Sequence, residues 1–231
     1  MNRSMEYARN PVAVINAFLM RVYNWMGLGL AVTALVSMMV ASSPTLLQMI
    51  FGNSFLFFGL IIGELVLVVS MSAAINRIQA STAVMLFFLY SALNGLTLSF
   101  IFIAYTRASI TSTFFITAAT FGALSLYGYS TRRDLTAIGS FMYMGLIGII
   151  IASVVNMFLH SSAVYWTITY LGVLIFVGLT AYDTQKIKQM ALSDFANEDM
   201  EQKASVIGAL RLYLDFINLF LLLLRISGRR Q

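Results

Sequence analysis

Three carboxylates stand within stretches of hydrocarbon side chains, and they are the residues of this chain best placed to do chemistry. Asp215 lies near the centre of LYLDFINLFLLLLRI (212–226), Asp183 ends another apolar run, and Glu64 lies inside a third. An ionised side chain at the centre of a bilayer costs at least about 2.5–3.5 kcal/mol. Such residues face the interior of a helix bundle and by default mark ion or proton pathways.

Asp183 ends one apolar run, and Asp215 lies within the next one along the chain. If they lie close together in a low dielectric, they titrate as a pair, because two like charges cannot both form cheaply. This predicts a pH sensor that needs no histidine. Ionised carboxylates are also the hard oxygen ligands that calcium prefers, so transient calcium binding at Asp183, Asp215 and Glu64 is expected.

A structural interpretation of the same residues stays open. Arg211, Asp215 and Asn218 follow i, i+4, i+7 spacing, so they share one helix face. Arg211 and Asn218 are therefore possible pairing partners of Asp215 rather than parts of a pathway. Asp183 in turn could simply cap the end of its helix.

No enzyme is expected. The chain has no cysteine and a single histidine, His160, which excludes thiolate catalysis and multi-histidine metal sites within one chain. Intramembrane aspartyl proteases need a GxGD sequence, where this chain has LYLD, and their Pro-Ala-Leu element is missing because Pro11 and Pro44 are the only prolines. No resident cofactor is predicted, and calcium enters only as a permeant ion.

The composition places these acids in a membrane protein. The chain is 60% hydrophobic and only 10% charged, whereas soluble domains carry about 25% charged residues. A spanning helix needs about 20 apolar residues. The sequence predicts an all-α integral membrane bundle, one domain over 1–231 with a short tail at 1–20 and a cytoplasmic loop at 184–204. Its seven predicted transmembrane helices are 22–41, 53–73, 82–104, 109–129, 137–158, 163–183 and 205–226.

Charge distribution gives the expected orientation and partners. With the N-terminus in the cytoplasm, nine Lys and Arg residues fall inside and four outside, as the positive-inside rule prefers. The net charge is +5, and the basic residues lie between the apolar spans. This placement favours anionic lipid headgroups over nucleic acid as a partner. A re-entrant last segment is the alternative to seven spans. The short tails are typical of a bacterial inner membrane protein.

Glycine pairs indicate where helices pack, because small residues let helix backbones approach closely inside lipid. Gly59 and Gly63 form a GxxxG pair, and Gly145 and Gly148 a similar one. Both pairs are predicted to be packing faces.

Long motifs resemble one known family. The sequence is similar to the Bax inhibitor-1, or transmembrane Bax inhibitor motif, family, and within it to the bacterial YccA-like branch. The motifs that carry the resemblance are GLTAYDTQKI (178–187), LYLDFINLFLLLLRI (212–226), VYNWMGLGL (22–30), SALNGLTLS (91–99) and SLYGYSTRRDL (125–135).

The resemblance implies a fold and a function. Members have six helices wrapped around a central C-terminal helix, and they are described as pH-sensitive calcium leak channels gated by an aspartate pair. Asp183 and Asp215 match that pair, and Glu64 matches an acid of the second helix. A basic residue near the end of that helix latches onto the pair in relatives, and Arg77 is the nearest candidate here.

The alternative function is a stress-related interaction protein. Some bacterial relatives are linked to a membrane quality-control protease, and eukaryotic ones to suppression of cell death. In this case the N-terminal tail and the 184–203 segment would be the contact surfaces for a membrane-bound protease.

Overall fold

The computed structural model describes residues 11–193 and 195–230, and within them the chain is helical apart from its connections. This confirms the all-α prediction. The helices are α1 (Pro11–Ala41), α2 (Pro44–Phe51), α3 (Ser54–Ala74), α4 (Ala80–Leu98), α5 (Ile101–Ala104), α6 (Arg107–Ser130), α7 (Thr136–Leu159), α8 (Ser162–Ala191) and α9 (Glu198–Ser227).

Seven stretches of the described residues are long and apolar enough to cross a membrane, with α4 and α5 forming one of them. Each predicted span falls within one of these stretches or within one residue of it. The short helix α2 was not predicted. It begins after Ser43, whose hydroxyl accepts a hydrogen bond from the Leu46 amide, and Asn53 caps α3 in the same way.

The first helix begins earlier than predicted. Residues 11–20, assigned to the tail in the prediction, already belong to α1, which starts at Pro11. Ile15, Phe18 and Leu19 are buried on one face, with the spacing of an amphipathic helix. The rest of the predicted tail, including its proposed partner surface, lies outside the described residues.

The predicted cytoplasmic loop at 184–204 is mostly helix. α8 continues to Ala191 and α9 begins at Glu198, so only residues 192–197 connect them. Ile187 and Ala191 are fully buried although Lys186 and Lys188 flank Ile187 in the sequence. A search for apolar runs therefore ends this helix too early.

The last helix is continuous from Glu198 to Ser227, so the re-entrant alternative is wrong. It is also the most enclosed of the apolar helices. Two thirds of its apolar window, 67%, is buried, against 6–44% in the other six. A helix that carries buried leucines and phenylalanines on every side is surrounded by protein rather than lipid, which is the environment that a central helix requires.

The described chain divides into two compact units. The first holds the described residues up to Thr106, with 190–213 and 230, and the second holds 107–189 and 214–229. In the first unit, α1 and α4 approach closely at Gly29, where an added Cβ would lie 2.6 Å from the Phe87 ring. In the second, Gly128 of α6 faces the Ala181 carbonyl of α8 so closely that no side chain fits.

The GxxxG prediction is wrong for most of its glycines. An added Cβ at Gly59, Gly63 or Gly148 would meet nothing within 4 Å, and only Gly145 has a close neighbour, the Ile175 side chain at 3.0 Å. The close helix approaches use isolated glycines instead. Spacing along one helix does not reveal which face meets a partner.

Candidate functional site

Asp183 lies near the end of α8 and is only 2% exposed. Its carboxylate accepts hydrogen bonds from the Tyr143 hydroxyl of α7, at 3.3 Å to Oδ1 and 3.2 Å to Oδ2. The adjacent Tyr182 does not supply this donor. Its ring packs edge-on against the Tyr143 ring and covers Gly139. The hydrogen bond fixes the orientation of the buried Asp183 side chain against α7.

The connection just before α7 is tied to the same end of α8. The Gln185 side chain accepts a hydrogen bond from the Leu135 amide at 2.9 Å and donates to the Arg133 carbonyl at 2.8 Å. Lys188 donates to the Tyr129 carbonyl at 2.6 Å, with its ammonium 5.0 Å from the centre of the Tyr129 ring. The turn of α8 that follows Asp183 is thus held on both sides of the 131–135 connection.

Asp215 is 4% exposed on α9, and the residues around it fix its environment. One turn along the helix, the Asn218 amide donates to the Leu214 carbonyl at 2.8 Å, so this side chain is engaged within its own helix. Two residues before Asp215, the Tyr213 hydroxyl lies 2.6 Å from the Thr33 hydroxyl, with its ring edge-on to Phe87 and Tyr90. The Tyr213 side chain is thus engaged with residues of α1 and α4.

The packing of α8 on α9 sets the relative level of the two aspartates. Gly172 packs against Leu222, and Thr169 accepts a hydrogen bond from Arg225 at 3.3 Å, so the helices run antiparallel. Asp183 lies eleven residues beyond Gly172, and Asp215 lies seven residues before Leu222. At ~1.5 Å per residue the two aspartates differ by about one turn, ~6 Å, along the helix pair. The structure thus brings both acids to the same end of this pair.

Glu64, the third predicted acid, lies on α3 within the first unit and is held by α4. Thr97 donates to Oε1 at 2.9 Å, and the Asn94 amide donates to Oε2 at 3.4 Å and to the Tyr90 hydroxyl at 3.3 Å. Asn94 is 8% exposed, and its Oδ1 has no hydrogen-bond partner among the described residues. The cluster therefore keeps a buried acceptor for a further donor or a cation.

The predicted latch residues are placed differently from one another. Arg77 lies in the turn after α3, exposed, and makes no ion pair within 11–193 and 195–230. Arg211 is exposed although it lies one turn before the buried Asp215, so the predicted polar stripe on α9 is not uniformly buried. The latch between Arg77 and the aspartates stays a prediction.

Metal binding rests on the separate carboxylates. Within the described parts of the chain, no three or more His, Cys, Asp or Glu side chains are grouped to hold a metal ion. Calcium at Glu64, Asp183 or Asp215 therefore stays a prediction about transient contacts at each acid.

Sequence reasoning missed three residues of these sites: Tyr143, Asn94 and Thr97. Tyr143 is forty residues from Asp183, and no local pattern links them. Asn94 and Thr97 do carry a signal, since they are polar residues three apart in an apolar helix. That spacing places them on one face, where a buried acid of a neighbouring helix can accept their hydrogen bonds.

Apolar helices that enclose isolated carboxylates define an all-α integral membrane protein. Comparison with known proteins then gives the family. Residues 15–231 match the family model described as "Inhibitor of apoptosis-promoting Bax1". The chain belongs to the Bax inhibitor-1 family, which confirms the resemblance seen in its motifs.

Bacterial relatives match over nearly the whole chain. The "Inner membrane protein YbhL" of Escherichia coli (strain K12) is 53% identical over 96% of this chain and 95% of its own length. An uncharacterised protein of Borreliella burgdorferi is 47% identical over 96% of each chain. An uncharacterised membrane protein of Streptococcus pyogenes serotype M1 is 38% identical over the full length of both. The YccA-like branch stays a prediction.

Proposed function

We propose that this protein is a pH-sensitive cation leak channel, with calcium as the permeant ion, in a bacterial inner membrane with its N-terminus in the cytoplasm. It works without catalysis and without a resident cofactor. The observation that carries the proposal is the burial of Asp183 and Asp215, each at most 4% exposed, on neighbouring antiparallel helices.

Burial explains why these acids would respond to pH. A carboxylate removed from water resists ionisation, and a second carboxylate on the neighbouring helix, offset by about one turn along the helix pair, adds repulsion. The pair then titrates in two steps, and protonation removes the repulsion between the helices that carry it. A closed–open equilibrium that depends on this repulsion shifts with pH. Membership of the Bax inhibitor-1 family supports the same interpretation.

Glu64 is proposed as a further acid on the cation path. Its two side-chain donors, Thr97 and Asn94, keep the carboxylate oriented without the cost of a fixed cationic partner. Among the described residues no Lys or Arg side chain forms an ion pair with Glu64, so a cation on the path would meet no fixed competitor there.

Calcium flux into liposomes that contain the purified protein tests the proposal across pH 5 to 8. We expect a pH-dependent flux that loses its pH dependence in Asp183→Asn and in Asp215→Asn. Asp134→Asn is the matched control, because Asp134 lies in an exposed connection. A flux with unchanged pH dependence in both buried-site variants would contradict the mechanism.

A further inference from the structure

A cavity of about 500 Å³ lies between α1 and the first turns of α9, within the first unit. Its volume is in the range of ~300–1,000 Å³ that is typical of small-molecule sites. On α1 its lining follows i, i+3, i+4, i+7 spacing and on α9 i, i+3, i+4, so one face of each helix forms a wall. The lining residues are Arg21, Asn24, Trp25 and Leu28 of α1, and Glu198, Glu201 and Gln202 of α9.

Residues of opposite charge line this cavity. The Arg21 guanidinium lies 3.4 Å from Glu201, yet 48% of the Arg21 side chain is exposed. A guanidinium has five N–H donors, and a single contact of this length leaves most of them available. Glu198 is exposed at the first turn of α9 and adds a second carboxylate to the same wall. The cavity thus offers one cation and two anions.

The cavity has a charged residue at one end of its α1 wall and an apolar residue at the other. Arg21 is the last charged residue before the apolar run at 22–41, and no charged residue follows Lys203 until Arg211. Leu28, at the other end of the α1 wall, lies about 10 Å further along the helix. A ligand that fits this gradient has a charged head and an apolar remainder, and it lies at the membrane surface.

We propose that this cavity binds the phosphoethanolamine headgroup of a zwitterionic glycerophospholipid. Arg21 donates to the phosphate, the primary ammonium donates to Glu198 and Glu201, and the acyl chains extend past Leu28. Two carboxylates repel a lipid with net negative charge. A choline headgroup has no N–H to donate to these carboxylates. A primary ammonium does, and its attached phosphate can accept from Arg21 at the same time.

Native mass spectrometry of the full-length protein in detergent tests this proposal. Phosphatidylethanolamine, phosphatidylcholine and phosphatidylglycerol with identical acyl chains are titrated separately. We expect phosphatidylethanolamine to bind about tenfold more tightly than either competitor, the ratio that one hydrogen bond between charged groups typically gives. Glu198→Gln should reduce this preference to about threefold or less.

Two controls separate recognition from damage to the fold. Glu198→Gln leaves the Arg21–Glu201 ion pair in place, and Asp134→Asn makes the same acid-to-amide change outside the cavity and should keep the full preference. Arg21→Gln should weaken binding of all three phospholipids, because each has a phosphate. Free phosphorylethanolamine at millimolar concentration should displace little lipid, since it lacks the acyl chains.

Several outcomes would overturn the proposal. Equal binding of the three lipids would show that the cavity does not discriminate between headgroups. A preference for phosphatidylglycerol would show that the carboxylates do not select the ligand. If Glu198→Gln keeps the full preference for phosphatidylethanolamine, the headgroup is recognised outside this cavity. Displacement by free phosphorylethanolamine as efficient as by lipid would assign the cavity to a soluble ligand.

Discussion

Replacing Tyr143 by Phe removes the hydroxyl that donates to Asp183 and leaves the ring that packs on Tyr182. Hydrogen bonds to charged groups contribute about 1.5–3 kcal/mol. The two distances, 3.2 and 3.3 Å, are long for a hydroxyl donor, and one hydrogen serves both oxygens, so the low end applies.

The Tyr143 hydroxyl holds the Asp183 carboxylate in place, so its loss removes about 1.5 kcal/mol of stabilisation from the folded protein. We therefore expect the free energy of unfolding of Tyr143→Phe in detergent to fall by about 1.5 kcal/mol, measured by thermal unfolding. Calcium flux in liposomes, measured on the same samples, should change its pH dependence in this variant, because the carboxylate has lost a hydrogen-bond donor.

Tyr182→Phe is the matched control, because it removes a neighbouring hydroxyl that makes no hydrogen bond to Asp183 among the described residues. Its free energy of unfolding should stay within a few tenths of a kcal/mol of the parent. An unchanged stability in Tyr143→Phe, or an equal loss in both variants, would refute the reasoning.

Three further predictions concern stability. Gly128→Ala should lower the free energy of unfolding by about 1–3 kcal/mol in thermal unfolding, because its Cβ would overlap the Ala181 carbonyl; Gly59→Ala, where the space is open, should not. Lys203→Met should cost about 1 kcal/mol by loss of its bonds to Asp199 and the Ile78 carbonyl, and an unchanged melting temperature would argue against that clamp. Hydrogen bonds from the Thr136 hydroxyl and amide lower the pKa of Asp134 in the folded protein. The ionised Asp134 therefore stabilises the fold fully above the ordinary pKa of an aspartate. This contribution is lost as the pH falls through the lowered pKa of the folded protein. Melting curves at pH 6 and pH 3 should therefore converge for the parent and Asp134→Asn at the lower pH, and a constant difference would contradict this assignment.

The sequence was enough to place the apolar helices, because hydropathy averaged over twenty residues is insensitive to single polar positions. It failed at the helix ends. Residues 184–191 alternate buried positions such as Ile187 with polar ones, so their average hydropathy is low although one face is packed. Residues 11–20 are apolar apart from Asn16, but Arg21 separates them from the longer apolar run at 22–41. Length of hydrophobic run and length of helix are different quantities.

The acids could be found from the sequence, but their partners could not. Asp183, Asp215 and Glu64 are conspicuous because a charge in an apolar run is costly. Tyr143 is one of many aromatic residues in apolar segments, and only the approach of α7 to α8 selects it as the donor to Asp183. The same holds for glycines, since Gly59 and Gly128 differ only in what faces them.

The enclosure of α9 has a consequence for how the protein enters the membrane. α9 follows the other six apolar helices in the chain, so nearly all the residues that bury it are synthesised first. Its Arg211 and Asp215 need not be inserted into bare lipid, because their surroundings can already be assembled when α9 arrives. A nascent chain that stops before Glu198 would instead expose the groups that α9 normally covers, including Phe87 and the Thr33 hydroxyl. The interior of the protein is thus completed only once α9 has been made.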